Sequence, residues 1–242
     1  MQVYSQSDIG LKRQSNQDYC LSGEFPDGSV WAVVCDGMGG ANGGSTASRV
    51  AAEAISETLK SGYRTEMTPD DIRSLMKISV EYANKSVYEM SIHVPGLSGM
   101  GTTVVCAVVR GGNAFVLHAG DSRAYLFSNG MVRQITTDHS VVQEMVDAGE
   151  ITPEEARGHY MKNIITRALG TEPSLKTDFT SVPLSEGERL VICTDGMSNY
   201  ITDHALQNFI EKYDCSELAG RLIEESNRLG GSDNITVAVI AP

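Results

Sequence analysis

The sequence predicts an α+β fold, antiparallel sheets flanked by helices. Strand signals open and close the chain. A block of β segments joined by short Gly/Asn turns fills its middle, and helical patterns come in a few unevenly spaced groups rather than in regular βαβ repetition. After the opening strands, VWAVVC at 30–35 reads as a buried strand that stops at Asp36. Apolar positions Ala47, Val50, Ala51, Ala54, Ile55 and Leu59 then recur at helical spacing, as do Ile72, Leu75, Met76, Ala83, Val87 and Met90. The β block follows in GTTVVCAVVR, NAFVLHAG, SRAYLFSNG and MVRQITT, and resumes in FTSVPL and ERLVICTD. Its GGN and SNG turns suit antiparallel hairpins. Leu218, Ala219, Leu222, Ile223 and Leu229 mark a late helix, and ITVAVIAP a last strand. Residues 140–163 mix charges, Gly149, Pro153 and Gly158 with weak periodicity, and read as a helical flap over the surface.

At 242 residues, with 41% hydrophobic and 21% charged side chains, the chain can bury a large core, and one domain over 1–242 is expected. Thirty-one acidic against 19 basic side chains give a net charge of −12, which repels nucleic acid and anionic membrane in the absence of a basic patch. The longest apolar runs, such as VVCAVV at 104–109, fall far short of a membrane span, and the first ten residues lack the basic and apolar regions of an export signal. A soluble, cytoplasmic protein is expected, monomeric because no coiled coil is apparent. The five cysteines show no CxxC spacing, lie mostly in apolar runs, and read as reduced core residues rather than ligands.

What composition does not explain is a set of carboxylates at strand ends. Asp36, Asp121, Asp195 and Asp233 each stand where an apolar strand meets a glycine, in CDGMGG, AGDSR, TDGMS and GGSDN, and Asp18 lies beside a short strand at 19–21. One Asp next to Gly is ordinarily a turn former, its side chain bonding nearby amides. Four such sites, carried by strands whose ends converge, would repel one another unless cations joined them. Oxygen ligands without a His or Cys cluster suit Mg²⁺ or Mn²⁺. The glycines let backbone approach an ion or phosphate, with a carbonyl such as that of Gly37 free to coordinate. Two such ions sharing a water suit phosphate-ester hydrolysis, and Arg13, five residues ahead of Asp18, offers a bidentate grip on phosphate.

In order, the chain carries DIGLKRQSNQD at 8–18, DGMGG at 36–40, MGTT at 100–103, HAGDSRAY at 118–125, TTDHS at 136–140, ITRALG at 165–170, CTDGMSN at 193–199 and GGSDNITV at 230–237. This series resembles the metal-dependent protein serine/threonine phosphatases, the PPM or type 2C family, in their compact bacterial form. The resemblance implies a four-layer α/β/β/α sandwich with two central antiparallel sheets. It implies that Asp36 bridges two metals, that the Gly37 carbonyl completes one and that Asp195 and Asp233 hold the other. Asp18 would act through bound water, Asp121 with Asp195 would hold a third ion, and Arg13 would bind the substrate phosphate. Water would attack phosphorus directly, with no phosphoenzyme. Phosphorylated proteins, among them a Ser/Thr kinase and its substrates, would be the partners. The chain departs from the pattern twice: Met38 stands where some members carry a histidine general acid, and HYMKN at 159–163 lacks the proline that follows the histidine in many bacterial relatives.

The rival readings fit less well. An aspartyl-phosphate phosphatase places a second Asp two residues after the first, where this chain has Met38. No GxSxG elbow stands between strand and helix, and GMGGANGG lacks the Lys-Ser/Thr of a P-loop. A catalytically silent phosphoprotein-binding module on the same fold is the alternative from another class; it predicts missing acids, yet Asp36, Asp195 and Asp233 are present. His118 and His139 read as packed or turn residues rather than as the general acid.

Overall fold

The computed structural model describes residues 1–242, the side chains of residues 41 and 42 excepted. Its strands are β1 (Gln2–Asp8), β2 (Asp18–Glu24), β3 (Val30–Met38), β4 (Gly101–Thr102), β5 (Val104–Arg110), β6 (Asn113–Ala119), β7 (Arg123–Ser128), β8 (Met131–Gln134), β9 (Asp178–Pro183), β10 (Arg189–Cys193) and β11 (Ile235–Ala241). Its helices are α1 (Gly40–Gly62), α2 (Pro69–His93), α3 (Val141–Asp147), α4 (Pro153–Gly158), α5 (Asp195–Ser198), α6 (Asp203–Lys212) and α7 (Cys215–Leu229). One sheet runs β1-β11-β10-β7-β8; the other runs β2-β3-β5-β6-β9, with β4 on the end of β3. Every pairing is antiparallel.

The unbroken apolar run of β3 has a simple cause: both of its faces are covered. Val30, Ala32 and Val34 point into the layer between the sheets, against Leu190, Ile192, Ala238 and Ile240. Trp31, Val33 and Cys35 point the other way, onto Ala47, Ala51, Ile55 and Leu59 of α1 and Met76, Val80 and Ala83 of α2. On the opposite side α6 and α7 cover Val191, Cys193, Val237 and Val239 with Leu206, Leu218, Leu222 and Ile223. Three apolar layers thus join four layers of secondary structure. Cys35, Cys106, Cys193 and Cys215 are buried in these layers and Cys20 is partly buried, all of them free thiols.

Helix ends follow local chemistry. Thr68 caps α2 in a reciprocal box with Asp71, with proline in the first turn, and Thr152 does the same for α4 with Glu155. The expected flap resolves into α3 and α4; α4 buries none of its residues and α3 only Val142. Sequence periodicity did not mark α6, a helix that buries only Leu206 and Ile210; Thr202, whose hydroxyl caps it, was the available signal. No helix is long and apolar enough to cross a membrane among the described residues.

Candidate active site

Strand direction gathers the acids. The start of β2, the ends of β3, β6 and β10, and the start of β11 all lie at one end of the sandwich, because neighbouring strands run antiparallel. Asp18 opens β2 directly opposite Asp36 on β3. Asp121 occupies the turn where the chain passes from β6 in one sheet to β7 in the other, Asp195 opens α5 just beyond β10, and Asp233 stands two residues before β11.

Each carboxylate is held from behind. Buried Asp18 accepts the hydroxyls of Thr194 (2.8 Å) and Thr236 (2.7 Å) on one oxygen, Oδ2. The backbone of Asp36 is pinned by the adjoining threonines: its N–H donates to Thr103 Oγ1 (3.0 Å), and its carbonyl accepts from Thr102 Oγ1 (2.8 Å) and the Thr103 amide (2.8 Å). Asp195 Oδ2 accepts from Asn199 Nδ2 at 3.0 Å, one turn along. Asp233 Oδ2 accepts from Arg13 at 2.7 Å and its Oδ1 from the Asn234 amide at 2.8 Å. Asn234 then fixes the loop that carries Arg13, donating to the carbonyls of Ile9 (2.9 Å) and Ser15 (3.0 Å) and accepting from the Gln17 amide (2.8 Å).

The glycines answer to close backbone approach. A Cβ on Gly37 would collide with the Gly44 carbonyl and lie 2.6 Å from that of Gln17, so only glycine fits between β2 and the start of α1. Gly196 is likewise closed by the Asn234 carbonyl, which keeps α5 against the β11 approach.

The electrostatics are those of negative charges lacking counter-ions. Asp36 is raised well above the usual carboxylate range, first by burial and then by Asp18, Asp195, Asp121 and Asp233. Burial pushes Asp18 up to about 7 against the pull of its two threonine hydroxyls, with Asp195 and Asp233 adding to the rise. Asp121 also rises to about 7, through burial and then Asp195 and Asp138. Asp195 is raised by burial and Asp233, with Asn199 opposing. Asp36, Asp121 and Asp195 keep some solvent contact although protein surrounds them, as expected for the floor of a cleft. Hard cations fit this donor set: buried Asp18 Oδ1 and Asp195 Oδ1 have no hydrogen-bond partner, and neighbouring carboxylates raise one another. The acids predicted from the sequence are therefore brought together. Arg13 joins them at the mouth, half exposed, and pairs with Asp233 rather than with the nearby Asp18.

A different trio of metal-ligand residue types also comes together. Ligand atoms of His118, His139 and Asp178 lie within 4.8 Å of one another. Arg167 is lodged there, 2.9 Å from His139 Nε2 and 3.0 Å from Asp178 Oδ1, so a cation from the chain already occupies the place. His139 Nδ1 accepts the Gly120 amide (3.1 Å), its Nε2 lies 3.2 Å from Asp178 Oδ2, and the two imidazoles stack at 4.7 Å. Both histidines are packed residues, held below the usual imidazole range by burial. Met38 flanks Gly101, its partner across β3 and β4.

Sequence reasoning missed the supporting residues. Thr194, Thr236 and Asn199 lie inside quoted motifs, but their partners are fixed only by the fold. Thr194 and Thr236 are 176 and 218 residues from Asp18.

The fold and this ring of acids define a metal-dependent phosphatase class, and comparison with known proteins agrees. The protein phosphatase 2C family model matches residues 11–226. The serine/threonine phosphatase stp of Listeria monocytogenes is 34% identical over 241 residues, covering 99% of this chain and 95% of that protein. The Streptococcus agalactiae serine/threonine phosphatase structure is 33% identical, with a TM-score of 0.89 over 100% of this chain and 99% of its own. The catalytic domain of the serine threonine protein phosphatase PstP, solved with 2 manganese ions, is 32% identical, with a TM-score of 0.85 over 98% of this chain and 96% of its own. This chain belongs to the protein phosphatase 2C family and is an enzyme of that class.

Proposed function

We propose that this protein hydrolyses phosphoserine and phosphothreonine esters in proteins by direct attack of water on phosphorus. The convergence of Asp36, Asp195 and Asp233 at one end of the sandwich carries the reading. Asp36 and the Gly37 carbonyl, with Asp195 and Asp233, would hold two Mg²⁺ or Mn²⁺ ions; Asp18 would act through water, and Asp121 with Asp195 would take a third. When bound, such ions lower the pKa of water and neutralise phosphate oxygens.

The chain's own groups do the rest. Thr194 and Thr236 fix the rotamer of Asp18, and Asn199 that of Asp195, so ligand oxygens need no reorganisation on binding. Arg13, at the mouth, grips phosphoryl oxygens with its planar fork. No side chain serves as nucleophile. Burial pushes the Cys106 and Cys193 thiols up to about 12, far from the thiolate form a phosphoenzyme would need. Met38 donates no proton, so the leaving oxygen takes its proton from water or another side chain.

The proposal extends to the whole chain acting as one phosphatase domain with a flap at 140–163, and to action as a monomer in the cytoplasm on a Ser/Thr kinase and that kinase's targets. The free thiols suit a reducing compartment. Turnover of a chromogenic aryl phosphate and of a phosphothreonine peptide, with Mn²⁺ and with chelator, tests the chemistry. Metal-dependent release of phosphate supports it, and none with either substrate favours the silent binding module.

A further inference from the structure

Beside the aspartate ring lies a cavity of about 280 Å³, walled on one side by the flap and on the other by α5 and the start of α6. Asp121 and Asp195 line it, so it adjoins the aspartate ring. Asp138 and Arg123 also line it, and they neutralise one another in a bidentate pair, at 2.7 Å through Arg123 Nη2. The remaining charges are two cations from the flap, Arg157 and Lys162, and one carboxylate, Asp203. Neither cation makes an ion pair among the described residues, in a chain whose net charge is −12. Lys162 Nζ is 3.4 Å from Asn199 Oδ1, and Asn199 holds Asp195 Oδ2 at 3.0 Å, so this ammonium stands one side chain away from a proposed metal ligand.

We infer that Arg157 and Lys162 form an anion-accepting subsite, and that the enzyme favours phosphorylated segments carrying a second anionic group within a residue or two of the phosphate to be removed. This rests on the phosphatase reading and adds a selectivity to it. An extended peptide advances at most about 3.3–3.6 Å per residue. A phosphoryl group at the aspartates therefore delivers its immediate neighbours, and not distant residues, into this cavity. A carboxylate or a second phosphate there meets two cations that have no carboxylate of the chain within ion-pair distance, Lys162 feeling Asp195 only across Asn199. A neutral neighbour leaves them unpaired.

The test compares kcat/KM for one phosphothreonine peptide in three forms: alanine at the two positions on either side, aspartate there, and a second phosphoserine there. The enzymes are the wild type, Lys162→Gln, Arg157→Gln, the double variant and Lys162→Arg, all with Mn²⁺. The expected result is an advantage of about three- to tenfold for the anionic peptides in the wild type. That ratio should fall towards one in the double variant and persist in Lys162→Arg. A larger gain with phosphoserine than with aspartate would assign the subsite to doubly phosphorylated segments, and equal gains to any anionic neighbour. Equal rates on all three peptides, or a preference that survives the double variant, would overturn the inference. A parallel assay with a small aryl phosphate, which has no flanking residues, separates the two failures. Turnover there without flank preference removes only the subsite, whereas no turnover on any substrate removes the phosphatase reading itself.

Discussion

Asp18 and Asp36 face one another across the β2–β3 ladder, two carboxylates enclosed by protein, and neither forms an ion pair with a basic side chain among the described residues. Such an arrangement stores repulsion that a bound cation relieves. Asp36→Asn removes the proposed bridging ligand and one negative charge at nearly constant volume. Metal-dependent phosphate release should fall to background while thermal unfolding stays cooperative, with a midpoint in chelator equal to or above that of the wild type. A variant that keeps its activity would remove Asp36 from the site.

Thr194 and Thr236 converge on a single oxygen of Asp18. Replacing either with valine keeps the shape and deletes the hydroxyl. Apparent Mn²⁺ affinity should weaken by about 10- to 100-fold, read from activity against metal concentration, with most of the turnover recovered at saturating metal. An unchanged metal titration would make these threonines packing residues.

The pH dependence of the chelated protein has a definite sign. Asp18 and Asp121 rise from 3.8 to about 7 in the folded state, burial being the first cause of each. A carboxylate that binds its proton more tightly when folded contributes stability below its unfolded value, and that contribution is lost as pH climbs through its folded value. In EDTA the melting temperature should therefore fall between pH 5 and pH 8, and Mn²⁺ at pH 8 should restore it. A melting temperature that rises over that interval in EDTA would contradict the electrostatic picture.

Asp121 supplies a test of the third ion. Asp121→Ala should spare the ligands Asp36, Asp195 and Asp233 yet lower turnover, with one fewer Mn²⁺ bound by calorimetry. Full turnover at limiting metal would show that no third ion participates.

The interlayer core carries the fold apart from the chemistry. Ile192 is fully buried between the sheets. Ile192→Ala should cost about 2–5 kcal/mol in denaturant unfolding with the metal titration unchanged. A cost under about 1 kcal/mol would mean that this layer repacks readily.

Much of this site was legible because its acids interrupt strong local patterns. An apolar run such as that of β3 ending in Asp-Gly marks both a strand and the residue presented at its tip. Partners were not legible, since they depend on which strands adjoin. Arg13 lies five residues from Asp18 in sequence, yet the loop bound by Asn234 turns it to Asp233, 220 positions away. The basic pair of the flap was hidden for a different reason: a segment with almost no buried residues leaves no periodicity to read, so its role emerges only from what it covers.

Crystals grown with Mn²⁺, with anomalous scattering recorded at the manganese edge, would locate the ions themselves. At least two peaks are expected at the head of the sandwich, coordinated by carboxylate oxygens of Asp36, Asp195 and Asp233. Density at His118, His139 and Asp178 instead, or none near Asp36, would contradict that expectation.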